Sequence, residues 1–463
     1  MSNGIALNPA LGLAAAPPRP AAARTKMLLE APIFATLLRL SAPNVLNLAA
    51  IAGLITFDGL FLGRLGPDAL AGVSLVFPFV MFVQHVAASG MGGAVSSAVA
   101  RALGAGARER ANDLAGHAFA LALGMAFVFS GVMLSIGPLI YRWMGGQGAM
   151  LQAALDYSTV ALGGAISICM LNILANVVRG TGNMAFPAAV LIGSVLAHVV
   201  ISPLLIFGWG PVPSLGPAGA GWGLAVSFGI GSAVLIFHLR GRNSLVRLGF
   251  SRLPRQWDLY KEFFRVGIPG MMNVAINNLT VIVLTGVAGH LGREAAIGYA
   301  MGSRLEYIMI PLAFGFGTAL VAMVGTNWGA MQQQRARAIA WIGAGTVAAA
   351  CGLVGLFFAF FPSLWMGLFT REEEVTRVGT LYLQTVGPIY GLYGLGMAIY
   401  FARQGVGNVV PAVLANALRL LASAGGALAA VLWLDAGPFG VFMAIACGFV
   451  LYGILNACLL VRR

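Results

Sequence analysis

The sequence predicts an all-α integral membrane protein with twelve transmembrane helices in two parallel six-helix repeats. Three observations carry this reading. The 463 residues are 59% hydrophobic and only 9% charged, with a mean hydropathy of +0.89, whereas soluble domains carry about 25% charged residues. Apolar runs long enough to cross ~30 Å of hydrocarbon as helices recur along the whole chain. The second half of the chain also repeats the first in a fixed register.

Taken in order, residues 1–32 form an Ala- and Pro-rich segment with Arg19, Arg24 and Lys26 towards its end. A secretory signal would place its positive charges before its apolar region. Here that order is reversed, so a disordered cytoplasmic tail is expected. Spans at 33–63, 69–99, 112–140, 153–178, 187–209 and 219–239 make up an amino-terminal lobe, 33–239. A polar connector, 240–264, leads to spans at 265–289, 294–325, 337–362, 379–402, 409–434 and 438–461 in a carboxy-terminal lobe, 265–463. Of the 27 Lys and Arg residues, 20 fall in connectors on one side and 5 on the other, while Arg304 and Arg419 lie inside spans. The positive-inside rule then puts both termini in the cytoplasm and accounts for the net charge of +13 without a nucleic-acid partner. The expected location is a cell membrane, the bacterial inner membrane.

A shift of 226 places Arg39, Pro43, Asn47 and Ala49 on Arg265, Pro269, Asn273 and Ala275. It also places Gly63, Leu65, Gly66, Ala69 and Gly72 on Gly289, Leu291, Gly292, Ala295 and Gly298. At 225, Gly104 meets Gly329, and Gly180, Gly182 and Asn183 meet Gly405, Gly407 and Asn408. Six spans per repeat is an even number, so both repeats enter the membrane in the same sense. They should be related by an axis along the membrane normal, with a cavity between them near mid-membrane. That is the architecture of a transporter.

Of the 14 acidic residues, only Asp58 and Glu306 lie well inside a span. A charged carboxylate at the bilayer centre costs about 2.5–3.5 kcal/mol even on lenient scales, and such residues mark ion and substrate paths. Asp58 shares a helical stripe with Asn47, Ile51 and Leu62, a face turned to protein or cavity. It is the candidate coupling site, able to load a proton outside and release it inside; a helix-locking hydrogen bond is the structural alternative. Glu306 reads either as a substrate or ion site or as half of a structural ion pair. Arg304, two positions earlier, points elsewhere on the helix; it has a structural reading and a cavity reading.

His198 and Ser202 share one face at i, i+4. A histidine can titrate near neutrality, or it can stay neutral and be satisfied by a neighbouring helix. Asn172 and Asn176, and Asn273, Asn277 and Thr280, form further polar stripes that suit cavity lining or interhelical hydrogen bonding. Phe57, Phe61, Phe77 and Met81 are candidates for an adaptable pocket wall. Cys169, Cys351, Cys447 and Cys458 lack metal or redox spacing and read as buried free thiols. No metal site or cofactor is expected. Neither hydrolase nor phosphate-loop motifs occur, which argues against a membrane enzyme or an ATP-driven pump and leaves an ion gradient as energy source.

Five segments together resemble the multidrug and toxic compound extrusion (MATE) transporters across roughly 30–460. They are Pro43 fifteen residues before Asp58, Gly63-x-Leu-Gly-x-x-Ala-Leu-Ala-Gly72, Ala102-Leu-Gly-Ala-Gly106, Arg179-Gly-Thr-Gly-Asn183 and Val324-Gly-Thr-Asn-Trp-Gly-Ala330. The resemblance implies a secondary antiporter that exports amphipathic, cationic organic compounds in exchange for H⁺ or Na⁺ by rocking two lobes. It also implies that Asp58 binds the coupling ion and that Pro43 bends the first helix. The lipid bilayer is the other partner, and a monomer is expected.

The DinF-like branch of that family carries Asn-x-x-x-Asp-Pro in its fifth helix, where this chain has His198-Val-Val-Ile-Ser202-Pro203. The NorM branch carries a glutamate where this chain has Asn277, and an acid in the tenth span, where 379–402 has none. These positions place the chain closer to the DinF-like branch, with His198 and Ser202 as ion-coupling candidates. A lipid-linked oligosaccharide flippase of the related superfamily is the rival reading. Its anionic cargo would call for more arginines within the helices.

Overall fold

The computed structural model describes residues 20–210, 213–241, 244–249 and 256–461; side chains at 20–23, 48–52 and 55, Ile51 among them, lie outside that description. Residues 1–19 and parts of the 240–264 connector lie outside it too. Twelve long helical rods follow one another. In the first lobe they are α1 (Ile33–Leu65), α2 (Pro67–Gly104), α3 (Arg108–Trp143), α4 (Gly148–Ala161 with Ala165–Gly180), α5 (Ala185–Phe207) and α6 (Pro217–Arg240). In the second they are α7 (Trp257–His290), α8 (Arg293–Gly329), α9 (Gln333–Phe360), α10 (Glu373–Val386 with Tyr390–Val406), α11 (Val410–Leu432) and α12 (Gly437–Val461). Among the described residues nine of these helices are long and apolar enough to cross a membrane, and α4, bent by 46°, makes a tenth if counted as one span. The remaining two are α1, with 33 residues, and α10, interrupted by a 3₁₀ turn. At 1.5 Å per residue each is long enough to span.

The repeat seen in the sequence is physical. Gly66 and Gly292, equivalent at shift 226, both take positive φ (126° and 110°) where the first helix of each lobe hands over to the second. Glycine adopts that backbone without a Cβ penalty. Gly104 packs on the main chain of Thr326, and Gly329 on the main chain of Arg101. Because 101 matches 326 and 104 matches 329, these are one contact made twice about a pseudo-two-fold axis between α2 and α8. A Cβ at either glycine would overlap a backbone carbonyl.

Each lobe has its own apolar core, but the first helix of each starts in the other one. Leu37 and Leu40 of α1 belong to the core of the second lobe, whereas Leu54 and Leu62 belong to that of the first. Leu259 and Phe263 of α7 make the reciprocal crossing. In α1 the crossing runs past Pro43, through which the helix continues unbroken, and Asn44, whose amide donates to Thr318 Oγ1 of α8 at 2.8 Å.

The lobes meet at the end that carries most of the Lys and Arg residues. There the Met91–Gly104 half of α2 lies against α7, α8 and α10. Arg101 donates to Glu262 Oε1 of α7 (2.8 Å) and to the Gly405 carbonyl of α10 (3.0 Å), and Arg110 holds Glu262 Oε2 (2.8 Å). At the other end Pro67–His85, Gly148–Ala161, Arg293–Ser303 and Glu373–Val386 pack within their own lobes. Among the described residues the contacts between the lobes therefore concentrate at the basic end.

Two expectations are corrected. Residues 20–30 of the expected disordered tail form a helix, Pro20–Glu30. Leu28 is 1% exposed, its carbonyl accepts from Asn327 Nδ2 at 3.0 Å, and Arg335 donates to the Ala31 carbonyl. This helix is docked across the basic end by backbone acceptors that the sequence does not advertise. Of the cysteines, Cys169 and Cys351 are buried, but Cys447 and Cys458 sit on the exposed face of α12. An all-apolar helix hides which face looks outward.

Candidate functional site

The costly carboxylate has a partner. Asp58 on α1 and His198 on α5 lie 2.7 Å apart, Oδ1 to Nε2. The histidine side chain is 1% exposed and the aspartate 18%, so the acid is the more accessible of the two. Buried Tyr157 of α4 lies within electrostatic reach of Asp58. His198 Nδ1 is buried and has no hydrogen-bond partner among the described residues.

Ser202 does not join the pair. Its Cα, Cβ and Oγ face Gly223 of α6, and Ser194 one turn away on the other side of His198 meets Gly231 in the same way. Small residues let α5 and α6 approach closely. Asn47 is 5% exposed with its Oδ1 unpartnered, on the stretch where α1 passes between lobes. Phe57 and Phe61 stack at 6.2 Å beside Asp58, and Phe57 is exposed.

Asn172 and Asn176 both donate to main-chain carbonyls. The α2 helix contains a π-helical turn, Val86–Gly90, which takes carbonyls out of the regular ladder. Asn176 Nδ2 donates to Ala88 O and Gln404 Nε2 of the other lobe to Ser89 O, both at 2.9 Å. Asn172 donates to Ile168 O in its own helix.

The second lobe holds a larger polar cluster. Glu306, at the start of the second segment of α8, accepts from Tyr382 of α10, and Tyr390 stands 3.4 Å behind that hydroxyl. Arg419 on α11 is 3% exposed and within electrostatic reach of Glu306. Its guanidinium donates to Asn416 Oδ1 (2.7 Å), Asn277 Oδ1 (3.0 Å) and Thr280 Oγ1 (3.2 Å). It also lies 5.6–5.9 Å from the ring centres of Tyr393, Phe449 and Tyr452, a cation–π setting. Asn416 Nδ2 joins Asn273 and Asn277 by donating to both (2.7 and 3.0 Å). Arg304 is outside this cluster, exposed over the Phe369 ring at 5.3 Å. Arg419, Asn416, Tyr382 and Tyr390 were missed in the sequence. The available signal was Arg419 itself, a charge inside a span with an asparagine three residues before it.

Comparisons with known proteins agree with this architecture. The family model MatE matches residues 43–204 and 269–427. A FAD transporter of Shewanella oneidensis is 27% identical over 387 residues, covering 81% of this chain and 82% of that protein. A probable multidrug resistance protein NorM of Thermotoga maritima is 25% identical, with 76% of each chain covered. The multidrug export protein MepA of Staphylococcus aureus is 22% identical, with 84% and 86% covered. Among solved structures, a MATE protein in its straight conformation gives a TM-score of 0.85 at 24% identity, and a MOP superfamily transporter from Pyrococcus furiosus gives 0.83 at 24%. Each comparison covers 94% of this chain and 96% of the other. Both parts of the family match begin at the equivalent prolines, Pro43 and Pro269, and run through both lobes: this chain belongs to the MatE family.

Proposed function

We propose that this protein is a secondary active antiporter that exports amphipathic organic compounds in exchange for H⁺, by alternating access between its two lobes. The observation that carries the reading is the Asp58–His198 pair. It joins two titratable side chains inside one lobe, one enclosed and one partly accessible. In this reading the pair is the place where the coupling proton is loaded and released. With the basic end taken as cytoplasmic, the lobes are open outward, and Asp58 receives its proton from outside. The rocking motion then loosens the Arg101–Glu262 and Arg101–Gly405 contacts, with α1 crossing between lobes near Pro43. Relatives named as multidrug and FAD transporters support an organic cargo.

The expectation of cationic cargo came with the family resemblance, and the two in-span acids do not by themselves carry it. Asp58 is now paired with His198, and Glu306 is held by Tyr382 near Arg419. Cargo charge must therefore be argued from the cleft wall. The many in-helix arginines that a flippase of anionic lipid-linked cargo calls for are lacking in this picture: Arg304 faces outward and Arg419 lies behind side chains. In everted vesicles, imposing an acidic lumen should drive accumulation of a fluorescent amphipathic dye. Accumulation that ignores the pH gradient would contradict proton coupling.

A further inference from the structure

A cavity of about 550 Å³ lies at the basic end, where α2, α3 and α7 meet α8 and the end of α10. That size falls within the ~300–1,000 Å³ of small-molecule sites. Its charged wall sets Arg101, Arg110, Lys261 and Arg265 against Asp258 and Glu262. Glu262 gives one oxygen to Arg101 and the other to Arg110, both at 2.8 Å, and Asp258 takes Lys261 at 3.0 Å. Arg265 has no ion pair among the described residues, so positive charge is in excess on this wall. Arg101 forms its fixed base: the side chain is 16% exposed and is also held by Ser97 and the Gly405 carbonyl.

The pseudo-two-fold mate of this site shows what such donors take. At shift 225 Arg110 falls on Arg335 and Arg101 on Thr326, beside Asn327; at 226 Arg265 falls on Arg39. Across the axis, Arg335 donates to the Ala31 carbonyl, and Asn327 to the Leu28 carbonyl at 3.0 Å. Main-chain oxygens at the end of the Pro20–Glu30 helix thus satisfy that copy. The mates of Asp258, Lys261 and Glu262 are Pro32, Ala35 and Thr36, so the charged wall stands on one side of the axis only. There the donors face a cavity, and their excess charge suits anionic oxygens better than neutral carbonyls.

We infer that this cavity is a binding site for a phosphate-bearing anion, whose phosphoryl oxygens take Arg110, Lys261 and Arg265 above the Arg101 base. Guanidinium forks match the geometry of phosphate oxygens, and lysine adds a point charge. A phosphoryl group carries a charge of about −1.5 to −2 near neutral pH, enough to offset the unpaired cations. Trp328, Val406 and Gly407 of the second lobe give the body of the ligand a largely apolar wall. A lipid headgroup and a soluble phosphate compound offer the same oxygens.

The test is calorimetric titration of pyrophosphate into purified protein in phosphatidylcholine nanodiscs at constant ionic strength. The wild type should bind. Arg265→Gln and Lys261→Gln should each weaken binding about tenfold, the loss of one charge-assisted contact. Both side chains are exposed and lie outside the Arg101–Glu262 contact, and each variant is judged independently should the other misfold. Asp258→Asn, which frees Lys261, should tighten binding. Native mass spectrometry from nanodiscs containing phosphatidylglycerol separates the two sources. That lipid retained by the wild type but lost from Arg265→Gln assigns the site to a headgroup; pyrophosphate binding without retained lipid assigns it to a soluble phosphate. Binding of neither probe, or variants that bind both as the wild type does, overturns the site. Binding is read without any gradient, so its failure leaves proton coupling at Asp58 intact.

Discussion

Asp58 and His198, 140 residues apart in sequence, share a 2.7 Å hydrogen bond between α1 and α5. One partner is enclosed and the other partly accessible. Asp58→Asn preserves shape and a hydrogen-bonding group but removes the titrating acid. Gradient-driven efflux should fall to background, while expression, insertion and monodispersity stay at wild-type levels. Full drug resistance in cells carrying this variant would remove Asp58 from the coupling step.

His198→Asn tests whether the pair titrates jointly. The variant should fold, and the pH–rate profile of transport should be displaced, with weaker activity at mildly acidic pH. Asp58, hydrogen-bonded to His198, and Tyr157 and Tyr141 within electrostatic reach of one another near Asp58 are unchanged in the variant. An unchanged profile would reduce His198 to a packing residue.

Gly104→Ala tests the pseudo-two-fold contact. Its Cβ would overlap the Thr326 carbonyl, part of a backbone that cannot swing away, so a loss of about 1–3 kcal/mol, as in overpacked cores, is expected. Gly124→Ala, whose Cβ meets nothing within 4 Å, is the matched control and should leave thermal stability unchanged or slightly raised. Equal melting temperatures for the two variants would contradict the close approach.

The register of those glycines was legible in the sequence because a repeated fold needs the same small residue at the same crossing twice. Asp58 and His198 were legible because titratable groups inside a span are rare and costly. The asparagine stripes left cavity lining and interhelical hydrogen bonding open, and the carbonyl that Asn176 serves is released by a π-turn that no local motif announces. The Arg419 cluster was hidden because its partners come from α7, α8 and α10. Tyrosines and asparagines taken one helix at a time resemble ordinary interhelical glue. The docking of Pro20–Glu30 depends on carbonyl acceptors, which carry no residue signature.

Arg101→Ala tests the latch at the basic end. It removes the contacts to Glu262 and Gly405 that cross between lobes. Glu262 keeps Arg110, so the fold should survive while the closed end opens more often. Hydrogen exchange over Met91–Gly104 and Glu306–Gly329 should quicken relative to wild type, with the rest of the chain little changed. Identical exchange would show that the latch does not hold the lobes together.

Substrate efflux from proteoliposomes under separately imposed gradients tests proton coupling through Asp58 most directly. A ΔpH alone should drive efflux in the wild type, a Na⁺ gradient alone should not, and Asp58→Asn should respond to neither. Efflux driven only by the Na⁺ gradient, or ΔpH-driven efflux that persists in Asp58→Asn, would contradict the account.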